Sequence, residues 1–125
     1  MTRINLVDPS VLHNKHLVAE LHEITRVFTL ARNAQHKMES KKIPSQYTLG
    51  TGHVLFFYQK LKFIVDRYEK LCDEMLIRNY KVNRLSRDVL LQGISDSMIN
   101  DYVPTQEAIL INQQRIIDRT KPNWK

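Results

Sequence analysis

Two stretches of this 125-residue chain carry side chains or termini with chemistry to offer. The first is residues 16–28, His-Leu-Val-Ala-Glu-Leu-His-Glu-Ile-Thr-Arg-Val-Phe. Leu17, Leu21, Ile24, Phe28 and Ala31 recur at spacings of four, three, four and three, the stripe of an amphipathic helix. At about 100° per residue, His16, Glu20, Glu23 and Val27 follow one flank of that stripe, with Arg26 beyond them. Burying the stripe holds Glu20 and Glu23 at the edge of the core, half out of water, where a carboxylate is fixed and still meets a substrate. The plainer alternative is a solvated flank whose carboxylates pair with neighbouring bases. The second stretch is the N-terminus, Met1-Thr2-Arg3. Methionine aminopeptidases remove an initiator methionine when the next residue is small, which leaves a threonine α-amine here. An α-amine titrates near about 7.7–8.0, against about 10.4 for lysine, so part of it is nucleophilic at neutral pH. Amines attack sugar or carbonyl carbons to give Schiff bases.

Other chemistries fit less well. His16 and Glu20, at i and i+4, have the spacing to share an ion, but two ligands make an incomplete site and the HExxH order is absent, so no metal is expected. Cys72 is the only cysteine, which leaves no disulfide framework and no cysteine-based zinc site; it reads as a small buried hydrophobe. No serine has an identifiable base, and Gly50-Thr51-Gly52 is too short for a nucleotide loop. The net charge of +6 and pI near 9.6 point to polyanions, nucleic acid before an anionic membrane surface. No apolar run approaches the roughly 20 residues that span a bilayer. Asn5, Asp8 and Asn14 interrupt the N-terminus where a secretory signal needs an apolar region. A reducing, cytoplasmic setting is expected.

The elements that must position these groups are helical. Asp8-Pro9-Ser10 can start a helix, with Asp8 as cap and Asn14 as a second cap, before a long helix from about 15 to 37. Residues 38–51 form a basic connector with Pro44 in it. Val54, Phe57, Leu61, Ile64, Tyr68, Leu71 and Met75 predict a second helix from about 53 to 78, with Lys60, Lys62, Asp66, Arg67, Lys70, Asp73 and Glu74 opposite and Asn79 as its C-cap. Residues 80–102 are irregular apart from a short helix at 86–91. Pro104 suits a first turn, and Thr105 to Arg119 carries Ala108, Ile109, Asn112 and Ile116 on one side, with Arg115 and Arg119 sharing a face. The length suits one core. The expectation is an all-α fold, one compact domain over 1–125 with three main helices and irregular loops.

Met-Thr-Arg-Ile-Asn-Leu at the start, His16-Leu-Val-Ala-Glu20, Glu23 with Arg26-Val27-Phe28, and Gly52-His-Val-x-Phe-Phe-Tyr-x-Lys60 together resemble the pyrimidine-dimer DNA glycosylases, the phage and virus endonuclease V type. Asp101-Tyr-x-Pro104, Arg115 and Arg119 extend the likeness nearly to the C-terminus. The resemblance implies a compact helical monomer that acts on double-stranded DNA with damaged bases or abasic sites, and needs no cofactor. It implies that the Thr2 amine, after loss of Met1, attacks C1′ of the damaged nucleotide, and that an AP-lyase step then nicks the strand. Glu23 falls on the family's essential glutamate, with the role of steadying positive charge on the sugar and assisting proton transfers. DNA-binding positions correspond to Arg3, His16, His22, Arg26, Arg115 and Arg119, while Lys41, Lys42, Lys81, Arg84 and Arg87 are unassigned basic neighbours.

The chain departs from that family at His22, where an arginine is expected, which predicts weaker and more pH-dependent binding at that point. Thr25 replaces a proline, so the helix is expected to run straighter near Glu23. The sequence stops soon after Trp124, where phage members continue into an aromatic tail associated with damage recognition. The runner-up from another class is a non-catalytic basic helical DNA-binding module, which has no need to lose Met1.

Overall fold

The computed structural model describes residues 2–124, so the removal of Met1 concerns a residue outside those described. The fold is all-α. Its helices are α1 (Asn14–Ala34), α2 (Leu61–Ile77), the short α3 (Arg87–Leu91) and α4 (Gln106–Arg119). Tight 3₁₀ turns at Pro9–Val11, Gln35–Ser40, Leu55–Phe57 and Asp96–Met98 join them. No helix among the described residues is long and apolar enough to cross a membrane.

Each boundary has a local cause. Asp8 accepts from the Ser10 amide and starts the Pro9–Val11 turn as expected. His13, rather than Asn14, caps α1, its Nδ1 accepting from Lys15 N at 3.1 Å. The second long helix does not begin at 53. Phe56 and Phe57 are consecutive and both buried. A 3₁₀ turn brings both rings inward, and Lys60 at φ −127° breaks the run before α2. Lys60 is held there by donating to the Phe56 carbonyl at 2.9 Å while its ammonium sits 3.9 Å from the Phe56 ring centroid. Asn79, at φ +67°, ends α2: Tyr80 N reaches Met75 O and Asn79 N reaches Leu76 O, the paired bonds of a Schellman motif. Ser86 and Thr105 cap α3 and α4, so Pro104 stands just before the cap rather than in the first turn.

α1 packs against α2 through Leu17, Ile24, Val27 and Phe28 on one side and Leu61, Ile64, Tyr68 and Leu71 on the other, with α3 lying against both. Leu21, expected in that stripe, is only partly buried. Cys72 is fully buried, as its position implied. An edge-to-face cluster of Tyr47, Phe56, Phe57, Phe63 and Tyr102 fills the other end. Residues 2–7 have no regular structure, yet Ile4, Leu6 and Val7 are buried among the helices. The N-terminus is therefore threaded through the core rather than laid over it.

Candidate active site

A backbone segment buried without secondary structure must find partners for its amides elsewhere. Here side chains supply them. Ile4 N donates to His53 Nε2 at 2.9 Å, and Asn5 N to Glu20 at 3.3 Å. Leu6 N and Val7 N both reach Asn112 Oδ1, at 2.6 and 3.3 Å. The Ile4 carbonyl accepts from the Tyr47 hydroxyl at 3.1 Å, and the Val7 carbonyl from Arg67 Nη1 at 2.6 Å. Asn5 closes the circuit by donating to Glu20 Oε1 at 2.8 Å and accepting from Asn112 Nδ2 at 2.8 Å.

This circuit separates the two carboxylates. Glu20 is buried, with Arg67 Nε 2.6 Å from Oε2 and Nη2 3.1 Å from Oε1, in addition to the two bonds from Asn5. The expectation that Glu20 stands half out of water is corrected: a guanidinium from α2 has drawn it into the core. Arg67 is likewise buried rather than on a solvated face. Its place follows from spacing, three residues after Ile64 and four before Leu71, within the apolar stripe itself. Glu23, one turn further along α1, is partly exposed, and among the described residues no hydrogen bond or ion pair takes up its carboxylate. His16 and Glu20, spaced to share one ion, have other partners here: Thr120 for His16, and Asn5 and Arg67 for Glu20.

Glu23 lines a small cavity of about 50 Å³ with Arg3, Asn5, His16, Ala19 and Glu20. Arg3 brings the N-terminus to it. Burial, then the like charges of Arg115 and Arg119, pull the Arg3 pKa below its ordinary value, with Glu23 acting in the opposite sense. Helix α4 thus delivers its two arginines to the same neighbourhood. The Nε atoms of Arg3 and Arg115 are buried without hydrogen-bond partners among the described residues. Buried donors of this kind are normally satisfied, so two neighbouring guanidiniums short of acceptors suit an anion. Thr2, next to Arg3, is also buried.

The other expected contacts divide. His16 lies in the cavity wall but is itself buried, its Nε2 3.0 Å from Thr120 Oγ1. The Thr120 hydroxyl donates to Ile116 O at 2.6 Å, so it is His16 that donates to Thr120. Burial first, then Arg3 and His13, lower the His16 pKa, which keeps the ring neutral. Trp124 packs on it from the C-terminal side, with ring centroids 5.0 Å apart, and on His13 at 4.8 Å. His22 and Arg26 are exposed on an adjoining face of α1, His22 beside Lys81 and Arg26 beside Arg32. Arg84 and Arg87 are committed to Asp73 and to Asp66 with Glu69.

Asn5, Tyr47, His53, Arg67 and Asn112 were given no role by sequence reasoning. Asn112 offered a signal, as a lone amide within an apolar stripe, and so did Arg67 by its spacing. His53 and Tyr47 gave none, because their partner is main chain about fifty residues away. With this geometry in view, the sequence model of the family described as pyrimidine dimer DNA glycosylase matches residues 1–88, which takes in the N-terminal segment, α1, α2 and the start of α3. Arg115 and Arg119 lie beyond the matched residues. The chain belongs to the pyrimidine dimer DNA glycosylase family.

Proposed function

We propose that the chain excises pyrimidine dimers from duplex DNA through an imine formed by the Thr2 α-amine once Met1 has been removed, and then nicks the strand as an AP lyase. One observation carries the reading. Of two carboxylates on one flank of α1, Glu20 is consumed by Asn5 and Arg67, while Glu23 stays uncommitted in a cavity that Arg3, one residue from Thr2, also lines.

The chemistry follows from those groups. The amine nitrogen bonds to C1′ of the damaged nucleotide as the C1′–N1 bond breaks, the electron pair leaving with the base. Positive charge on the sugar carbon and ring oxygen is greatest as that bond stretches, and the Glu23 carboxylate lowers its energy. Breaking C1′–O4′ opens the ring to the imine, with a proton going to O4′. The imine acidifies the C2′ proton. Its removal, with Glu23 as the base at hand, expels the 3′ phosphate oxygen and cuts the strand. Water then hydrolyses the imine and returns the amine. Arg3, Arg115 and Arg119 engage phosphates flanking the extruded nucleotide, with Arg26 and His22 gripping the backbone further along α1. His16 acts from beneath, tying the end of α4 to α1 rather than touching a phosphate.

The test is borohydride trapping of Met-processed protein on a duplex with one thymine dimer. The reading predicts a covalent adduct and a nicked strand, both lost in Glu23→Gln. An adduct on an abasic duplex alone would keep the lyase and remove the dimer specificity. Salt-sensitive binding with no adduct on either would leave a DNA-binding module.

A further inference from the structure

His53 is 4% exposed and packs against the first residues of the chain. Its Nε2 lies 2.9 Å from Ile4 N, and its Nδ1 lies 2.8 Å from Thr48 O. An amide N–H only donates and a carbonyl oxygen only accepts, so one ring state satisfies both: protonated on Nδ1, bare on Nε2, uncharged. We propose that His53 is a positioning residue for the reacting amine, its bare Nε2 anchoring Ile4 and thereby fixing where the N-terminal nitrogen stands beside Glu23. This rests on the reading of Thr2 as the nucleophile.

The anchor matters because of where it falls. Among the described residues no hydrogen bond reaches Thr2 or Arg3, so the Ile4 amide is the last main-chain tether before the amine. The next bonds, on Asn5, Leu6 and Val7, lie further from it. The ring cannot swing aside. Tyr47, which itself holds the Ile4 carbonyl, meets it edge-on at 5.3 Å, and Phe57 does so at 5.7 Å.

A second proton on His53 would sit on Nε2, face the Ile4 N–H and end the bond. The charged or titratable groups around the ring are Arg3 from the N-terminal segment, Arg115 from α4, Glu20 from α1 and the Tyr47 phenol from the connector. Burial disfavours that proton most, Arg115 and Arg3 add to the effect, and the Thr48 bond and Glu20 oppose it, for a net pKa below the ordinary value. The fold thus keeps the ring in the state that the anchor needs.

The experiment compares single-turnover excision at saturating dimer duplex for Met-processed wild type, H53L and H53Q. Glutamine extends an acceptor oxygen towards the position of Nε2, and leucine offers none. Misplacing a reacting group by an ångström costs about 100-fold, so H53L should be slower by about that factor with duplex affinity unchanged. H53Q should recover most of the loss. An H53L rate equal to wild type overturns the proposal, and so does an equal loss in H53L and H53Q, the mark of a packing defect. Failure of the wild type itself to trap with borohydride would instead overturn the Thr2 reading. If H53L does not fold, NMR of the wild type decides. Ring nitrogen shifts of the Nδ1–H tautomer and a slowly exchanging Ile4 amide that becomes labile as the ring titrates are expected, and an Nε2–H tautomer contradicts the proposal.

Discussion

The Glu20 carboxylate accepts from Asn5 N, Asn5 Nδ2, Arg67 Nε and Arg67 Nη2, whereas Glu23, three residues on, has no such partner among the described residues. The two should respond to the same change in opposite ways. Glu23→Gln leaves the fold intact and lowers the single-turnover excision rate by about 10²–10⁴-fold, the usual weight of a positioned acid–base group. Duplex affinity should rise slightly, because a negative charge has been taken away from the phosphates. Glu20→Gln should act on stability instead. It strands the Arg67 guanidinium in the core, at a cost of about 3–5 kcal/mol in chemical denaturation. If Glu20→Gln instead slows excision in a fully stable protein, the division of labour drawn from the hydrogen bonds is wrong. For the cations the measurement is the salt dependence of binding. Arg115→Ala should weaken binding to all duplexes and reduce the log–log salt slope by about 1.

Among the elements, α1 was the most legible in the sequence because its stripe, its flank and its length agree with one another. All of α2 was legible, but the expected helix began about eight residues too early. Its first expected turns hold Phe56 and Phe57 side by side in the core, a 3₁₀ solution that a periodicity of threes and fours does not distinguish from a continuous helix. Arg67 stood in the right place on the stripe, but its charge argued for solvent, and only the distant Glu20 explains its burial. The ends were easier, since caps are local. Asn79 shows this: its φ of +67° lies in the left-handed region, which asparagine tolerates better than other non-glycine residues. Asn79→Ala should therefore cost about 1–2 kcal/mol, and Asn79→Gly should not. Equal melting temperatures for the two variants would count against the Schellman termination.

At the scale of the molecule, charge is sorted. Every ion pair among the described residues includes a residue of α2, from Lys62–Asp66 to Arg87–Glu69, and none includes Arg3, Arg26, Arg115 or Arg119. The ion pairs gather on α2, and these four arginines stand outside them. That segregation was invisible in the sequence, where the bases look evenly spread. It predicts a steep loss of duplex affinity with salt, each phosphate contact adding about 0.9 to the slope.

The same view gives a pH dependence. His16 and His53 are buried with folded-state pKa values below their ordinary ones, while in the unfolded chain histidine titrates near about 6.5. Below that value the unfolded chain binds more protons than the folded one, so stability falls as pH is lowered through this window. Melting temperature should decline from neutral pH into the range below about 6.5, and less so in H53Q. A flat profile would mean that the buried rings are not held neutral.

The most direct test of the account asks which nitrogen carries the sugar. Trapping the dimer complex of the Met-processed protein with borodeuteride, digesting it and sequencing the labelled peptide by mass spectrometry gives the answer. The deuterated sugar remnant is expected on the α-nitrogen of Thr2. The same label on Lys60 Nζ, or on any other lysine, would contradict it.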